Sequence, residues 1–339
     1  MTAPRRLTCA LLALACTVAL AACGEKKEST APGKQEPVRL MLDFFPNADH
    51  AGLYAAQGTG AFDRAGLKVS IQTPSDPSVP LKALAAGRVD LAISYEPELL
   101  LARDKGQKLV AVGALVQKPL TSIISIGKGA IAAPQGLAGK TVGTAGIPYQ
   151  SAYLKAILAQ ARVPASRVKE VNVGFNLVPA MLSKRVDATL GAYWNYEGIQ
   201  LQQQHKQPKV IRMENAGVPN YDELVIVARQ DELDSKGGAK VRRFMRALGQ
   251  GMKALKRDPN AGIAPLMKAN PDLDRRLQEA SVKATMPVFF PADSSKPFGY
   301  MNPAEWATYG AWMARNRLLT KPPDAARALT NEFLPGEGV

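Results

Sequence analysis

Apolar and polar positions along this chain fall into short blocks that switch between two periods. Residues 38–43 (VRLMLD) form a compact apolar run and predict a strand. Residues 51–62 carry helical spacing through Leu53, Tyr54 and Ala56 into a glycine-rich stop. Residues 67–73 alternate as a half-buried strand, residues 80–86 read as a short helix ended by Gly87, and residues 89–94 (VDLAIS) as a buried strand. The same order then returns. Residues 140–144 predict a strand, 149–161 a helix, 168–173 a strand, 178–183 a short helix and 186–190 a strand. LAAGRVD (residues 84–90) and MLSKRVD (181–187) occupy matched places in the two units, each after a short helix.

A doubled unit of this kind predicts two α/β lobes. Residues 121–126 (TSIISI) read as a strand crossing from the first lobe to the second, and residues 224–228 (LVIVA) as the return. The expected division is residues 38–125 with 225–339 for lobe one and 126–224 for lobe two. Two crossings make a hinge. Residues 239–257 are amphipathic, with Phe244, Leu248, Met252 and Leu255 on one face. A last helix starts at Asn302-Pro303, with Glu305 placed to complete a capping box and Trp306, Tyr309, Trp312 and Met313 facing the core.

The N-terminus has a different character. Arg5 and Arg6 precede an apolar run over residues 7–22, shorter and more weakly flanked than the roughly 20 apolar residues of a spanning helix. It predicts a signal peptide over residues 1–22. The run ends in LAACG (residues 20–24), which resembles the lipobox of bacterial lipoproteins and implies lipidation of Cys23. Residues 23–37 are rich in Lys, Glu, Ser and Pro and predict a flexible tether.

The three cysteines are Cys9, Cys16 and Cys23. A processed chain keeps Cys23 alone, which leaves no disulfide framework and no cysteine nucleophile. The two histidines, His50 and His205, show no metal-ligand spacing, so neither a metal nor a cofactor is expected. The net charge of +14 is spread along the chain without a nucleic-acid-binding motif, so an anionic membrane surface is a simpler partner than nucleic acid.

Four loops follow predicted strands, where open α/β sheets bind ligands. The first, residues 43–50 (DFFPNADH), offers Phe44 as an aromatic plate with Asn47 and His50 beside it; equally, Asn47 and Asp49 could cap the next helix over buried phenylalanines. The second offers Tyr95 and Glu96, or simply a helix start at Pro97. The third, residues 143–150 with Tyr149, leaves backbone N–H groups before a helix, or is a plain turn. The fourth, residues 191–197 (GAYWNYE), places Tyr193, Trp194 and Glu197 together, or packs Trp194 and Tyr196 under the hinge with Glu197 in solvent. Stacking aromatics and a two-oxygen carboxylate suit an aminopyrimidine.

Residues 42–54 (LDFFPNADHAGLY), 84–95 (LAAGRVDLAISY), 191–197 and 330–334 (TNEFL) together resemble the NMT1/THI5-like substrate-binding proteins over nearly all of the mature chain. The resemblance implies a type 2 periplasmic-binding fold, two α/β lobes on a two-crossing hinge, in a monomer with no catalytic residues. It also implies the role of an extracytoplasmic, lipid-anchored binding protein that serves an ABC permease and its ATPase. One branch of the family binds thiamine-pyrimidine precursors such as formylaminopyrimidine or hydroxymethylpyrimidine. In that pattern Phe44 stacks on the ring, and Tyr193 or Trp194 closes on it with Glu197. Phe44 departs from a frequent tryptophan. Sibling proteins take riboflavin or alkanesulfonates. The pyrimidine synthases of the family carry a cysteine-rich motif that this chain lacks, which sets an enzyme reading behind a binding one.

Overall fold

The computed structural model describes residues 35–234, 236–321 and 323–336. The expected leader, Cys23 and the tether up to residue 34 lie outside the described residues, as do residues 337–339.

The described residues form two five-stranded sheets from β1 (Glu36–Met41), β2 (Leu67–Gln72), β3 (Leu91–Ser94), β4 (Leu109–Val116), β5 (Thr121–Ser125), β6 (Thr141–Thr144), β7 (Lys169–Asn172), β8 (Ala188–Tyr193), β9 (Lys209–Arg212) and β10 (Leu224–Arg229). The first sheet runs β2-β1-β3-β10-β4 and the second β7-β6-β8-β5-β9. The two share one plan. β1 is parallel to β2 and β3, as β6 is to β7 and β8. The fourth place in each sheet belongs to an antiparallel strand, β10 or β5. That strand is in each case the one that has just arrived from the other sheet.

Four expectations change here. Residues 121–125 do not close the first lobe; β5 pairs with β8 and β9 in the second sheet, so the crossing lies at 117–120. A fully buried apolar strand carries no mark of which sheet it joins. Glu36 and Pro37, expected in the tether, already pair with Leu67 and Lys68. The helix expected over residues 51–62 breaks into Ala51–Gly58 and Ala61–Arg64, because Gly60 turns with a φ of +71°. The expected capping box at Asn302 is also altered. The Asn302 side chain accepts from the Ala304 N–H, and its amide donates to Glu305 Oε1, so Glu305 holds the cap residue's side chain rather than its backbone. Pattern alone passed over β4, β9 and the helices Asn260–Ala269 and Arg275–Thr285.

The two crossings are tied by a buried carboxylate. Glu223, just before β10, accepts from the N–H groups of Leu120 (2.6 Å) and Thr121 (2.8 Å), from the Thr121 hydroxyl (2.8 Å) and from the Tyr221 hydroxyl (3.0 Å). Next to it, the Asp222 carboxylate takes the Trp306 indole N–H at 2.7 Å, and the Asp222 N–H donates to Glu96 at 2.8 Å. Burial pushes the carboxyl pKa values up: Glu223 and Asp222 to about 7, and Glu98 behind the first sheet to about 7.

Around the sheets, the helix Gly237–Arg257 buries Val241, Phe244, Leu248, Met252 and Leu255, and the helix Pro303–Arg315 buries Trp306, Tyr309, Trp312 and Met313. The long helix meets Ala51–Gly58 at a glycine contact. A Cβ on Gly251 would stand 2.6 Å from the Gly52 carbonyl oxygen and 2.5 Å from the Ala56 nitrogen.

Two measurements test this account. Gly251→Ala gains up to about 1 kcal/mol of helix propensity, but the atoms it meets are backbone and cannot step aside. A net loss of about 1–3 kcal/mol is expected, read as a lower midpoint in urea; an unchanged or raised midpoint would show that the helices do not approach so closely. A carboxyl whose pKa is higher folded than unfolded holds its proton more tightly in the native state. Stability from Asp222, Glu223 and Glu98 therefore falls as pH rises from about 4.5 to about 7 and levels off above. The melting temperature should be higher at pH 5.5 than at pH 8, and the reverse order would contradict the burial of these groups.

Candidate functional site

The carboxyl ends of β1, β3, β6 and β8 meet between the two sheets, and the loops that leave them form the walls of one cleft. Phe44 and Asn47 come from the β1 loop, Tyr95 from the β3 loop, Tyr149 from the β6 loop, and Tyr193 and Glu197 from the β8 loop. The walls approach until about 20 Å³ remains between them, room for about one water molecule.

Asp43 anchors the first wall. Its Oδ1 accepts a hydrogen bond from His50 Nε2 at 2.8 Å, and its Oδ2 accepts one from the Tyr95 hydroxyl at 2.8 Å. The Asn47 N–H donates to His50 Nδ1 at 3.2 Å. That bond assigns the remaining ring proton to Nε2, so His50 donates to the carboxylate. His50 is fully buried behind the wall and does not line the cleft. Asn47 does two jobs: its side chain accepts from the Asp49 N–H at 2.8 Å to start the short helix, and its edge faces the cleft.

Phe44 packs against Phe45 (ring centroids 4.7 Å apart) and edge-on against Phe175 of the second half (4.8 Å). Tyr149 lies 5.1 Å from Tyr95 across the gap. The Tyr193 hydroxyl is buried at the cleft and has no hydrogen-bond partner there. Glu197 opens the helix Glu197–Gln203, and its Oε2 accepts from the Tyr193 N–H at 2.7 Å. Burial pushes its pKa up to about 7, against the pull of two backbone N–H groups. At neutral pH this carboxyl can therefore either accept or donate.

Besides His50, two expected site residues stand elsewhere. Trp194 seats the hinge: its N–H donates to the Leu120 carbonyl and its indole N–H to the Pro119 carbonyl at 3.0 Å, while Arg212 lies 4.1 Å over the ring. Glu96 points away from the cleft into a separate space of about 230 Å³ bordered by Lys118, Asp222 and Trp306. Neighbours on a helix start face different sides, which sequence order does not show. A wider groove of about 1020 Å³, bordered by Arg103, Lys108 and Arg242, lies at the outer edge of the first sheet, where β4 starts and β10 ends, and shares no lining residue with the cleft.

The structure adds Asp43, Gln150 and Tyr196 to the cleft wall. Asp43 and Tyr196 sit inside the motifs already noted. An acid directly after an apolar strand, seven residues before a histidine, was the available signal. Gln150 accepts from the Ala145 N–H at 2.8 Å and packs over Gly191, whose φ of +115° and lack of a Cβ make the space. The two halves also meet beside the cleft. The Asn195 amide donates to Asp49 Oδ1 at 2.7 Å and to the Thr285 hydroxyl at 2.6 Å, all three groups being fully buried.

Comparison with known proteins bears on the family and the fold. The family model described as NMT1/THI5 like matches residues 47–262. A Haemophilus influenzae protein named for thiamine biosynthesis is 35% identical over 75% of this chain and 80% of its own length. The formylaminopyrimidine-binding protein of Halalkalibacterium halodurans is 31% identical over 87% of this chain and 90% of its own. A Legionella pneumophila protein named 4-amino-5-hydroxymethyl-2-methylpyrimidine phosphate synthase is 23% identical over 88% and 92%. Among solved structures, the MOPS-bound alkanesulfonate-binding protein SsuA of Xanthomonas axonopodis pv. citri superposes with a TM-score of 0.68 at 18% identity, over 88% of this chain and 99% of that one. A Candida albicans protein described as having the generic periplasmic binding protein fold gives 0.66 at 16%, over 89% and 98%. The chain has the periplasmic binding protein fold and belongs to the NMT1/THI5-like family.

Proposed function

We propose that this protein is the extracytoplasmic binding component of an ABC importer and takes up an unphosphorylated thiamine-pyrimidine precursor, such as formylaminopyrimidine or hydroxymethylpyrimidine. One observation carries the reading: the cleft wall holds two buried carboxyls, Asp43 and Glu197, among aromatic rings, with no lysine or arginine lining it. An aminopyrimidine is flat, offers an amine donor edge and carries no negative charge. Glu197, with its pKa near 7, can accept from the amine or give a proton to a ring nitrogen. The unpartnered Tyr193 hydroxyl supplies one further polar group, and Phe44 and Tyr149 supply apolar faces. The names of the relatives at 35% and 31% identity point the same way.

A sulfonate would meet two carboxyls and no cation in this wall, so the alkanesulfonate reading is the weaker one. Isoalloxazine asks for more space than a single ring. Ligand entry requires the halves to part, since about 20 Å³ cannot hold even one ring. Closure about the two crossings, with contacts from both halves, then captures the ligand without turnover. Lipidation at Cys23, the tether and docking on a permease as a monomer belong to the same proposal. No helix among the described residues is long and apolar enough to cross a membrane.

A thermal-shift panel of formylaminopyrimidine, hydroxymethylpyrimidine, thiamine, riboflavin and taurine tests the ligand class. A pyrimidine at 100-fold over its Kd should add about 2.7 kcal/mol of stability, while taurine should add nothing; stabilisation by taurine or riboflavin alone would overturn the pyrimidine reading. Glu197→Gln should weaken pyrimidine binding by one to two orders of magnitude, as loss of a charged hydrogen bond of about 1.5–3 kcal/mol requires. Unchanged affinity in calorimetry would remove Glu197 from the site. Recovery of the pyrimidine unaltered after incubation is expected, and its conversion would make the protein an enzyme.

A further inference from the structure

The hinge and the cleft wall share one hydrogen-bond chain. Tyr149 lines the cleft, and its hydroxyl lies 3.2 Å from the Thr121 hydroxyl. Thr121 is the first residue of β5, where the outgoing crossing ends. Its hydroxyl hydrogen is already given to Glu223 Oε1 at 2.8 Å. The Tyr149 hydroxyl must therefore donate, and the order is Tyr149 to Thr121 to Glu223. The other oxygen of Glu223 takes the backbone N–H groups of Leu120 and Thr121 and the Tyr221 hydroxyl. Trp194 grips the same segment from the second half through the Pro119 and Leu120 carbonyls. Glu223, Thr121 and Tyr149 are all fully buried.

We propose that Glu223 is a positioning residue: it locks the outgoing crossing to the returning one and, through the Thr121 hydroxyl, sets where the Tyr149 wall meets the ligand. The proposal rests on the binding-protein reading and adds to it the element that fixes the angle between the halves. The geometry gives the reason. β5 and β10 each start at the level of the cleft, because each is antiparallel to the strands whose carboxyl ends form it. A rotation between the halves must turn the chain at 117–120 and at 217–223. Glu223 bonds the end of one segment from the end of the other, so the two cannot turn independently while its four donors are held. A chain of hydroxyls ending on a carboxylate is polarised along its length, which strengthens each member. Removing the middle hydroxyl disconnects the wall from the hinge while leaving the backbone bonds of Glu223 in place.

The test compares Glu223→Gln, Thr121→Val and Thr121→Ser with the wild type in two readouts. The first is the radius of gyration of the ligand-free protein by small-angle scattering. The second is calorimetric affinity for hydroxymethylpyrimidine. Thr121→Val keeps the side-chain shape and removes the hydroxyl, so it should weaken binding about tenfold, and Thr121→Ser should restore it. Glu223→Gln can keep its amide oxygen on the two N–H donors but then turns its NH2 on the Thr121 hydroxyl, whose hydrogen loses its acceptor, and should enlarge the free protein as well as weaken binding. Glu197→Gln, which touches the ligand, should weaken binding without altering the free protein's radius. Equal radii and equal affinities across the Glu223 and Thr121 variants would overturn the proposal, as would a Thr121→Ser variant as impaired as Thr121→Val. If the wild type binds no pyrimidine, the ligand reading fails. The scattering comparison of Glu223→Gln with wild type still decides the hinge role.

Discussion

A single carboxylate joins the two places where the chain passes between its sheets. Glu223 sits in full burial and offsets part of its desolvation cost with four donors, three of them from Leu120 and Thr121 across the crossing. The position follows from topology. The crossing strands run antiparallel to their neighbours, so their first residues lie beside the last residues of β1, β3, β6 and β8. Hinge and cleft are built from adjacent residues. This is why Tyr149 and Trp194, both near the cleft, end their hydrogen bonds on the crossing segment.

The cleft wall obeys the same economy of partners. Asp43 would be a costly buried charge alone; His50 and Tyr95 each donate a hydrogen bond to it, and the Asn47 backbone fixes the imidazole that serves it. The loop DFFPNADH thus spends its polar residues mostly on holding its own shape. Asn195, Asp49 and Thr285 do the corresponding work between the halves. What faces the gap is a set of rings, the Asn47 and Gln150 amides, the unpartnered Tyr193 hydroxyl and the carboxyls of Asp43 and Glu197, chemistry suited to a flat, uncharged or cationic molecule.

Much of the architecture was legible beforehand because its causes are local. The repeated period-2 and period-3.6 blocks announced the doubled α/β unit, and residues 84–90 and 181–187 marked its matched positions. The apolar faces at Phe244 to Leu255 and at Trp306 to Met313 were plain from spacing, and both are buried. Phe44, Asn47, Tyr95, Tyr149, Tyr193 and Glu197 were picked out because ligand loops follow strands, and all six line one cleft. The same rule swept in Trp194 and Glu96, since adjacency in sequence cannot tell which neighbour turns toward the gap and which toward the hinge.

Sequence by itself determined the element types, their order and the loops that carry the chemistry, because hydrophobic periodicity and turn residues act over a few positions. Tertiary structure alone decided that residues 121–125 belong to the second sheet, since a strand buried on both faces pairs wherever an open edge is presented. It alone decided that His50 serves Asp43 rather than the cleft, and that Glu223, an unremarkable acid before an apolar run, holds the hinge. The Glu223 role depends on hydrogen bonds to residues as many as 103 positions away, and no local pattern encodes a partner at that distance; the His50 role depends on which way the ring turns once the loop has folded.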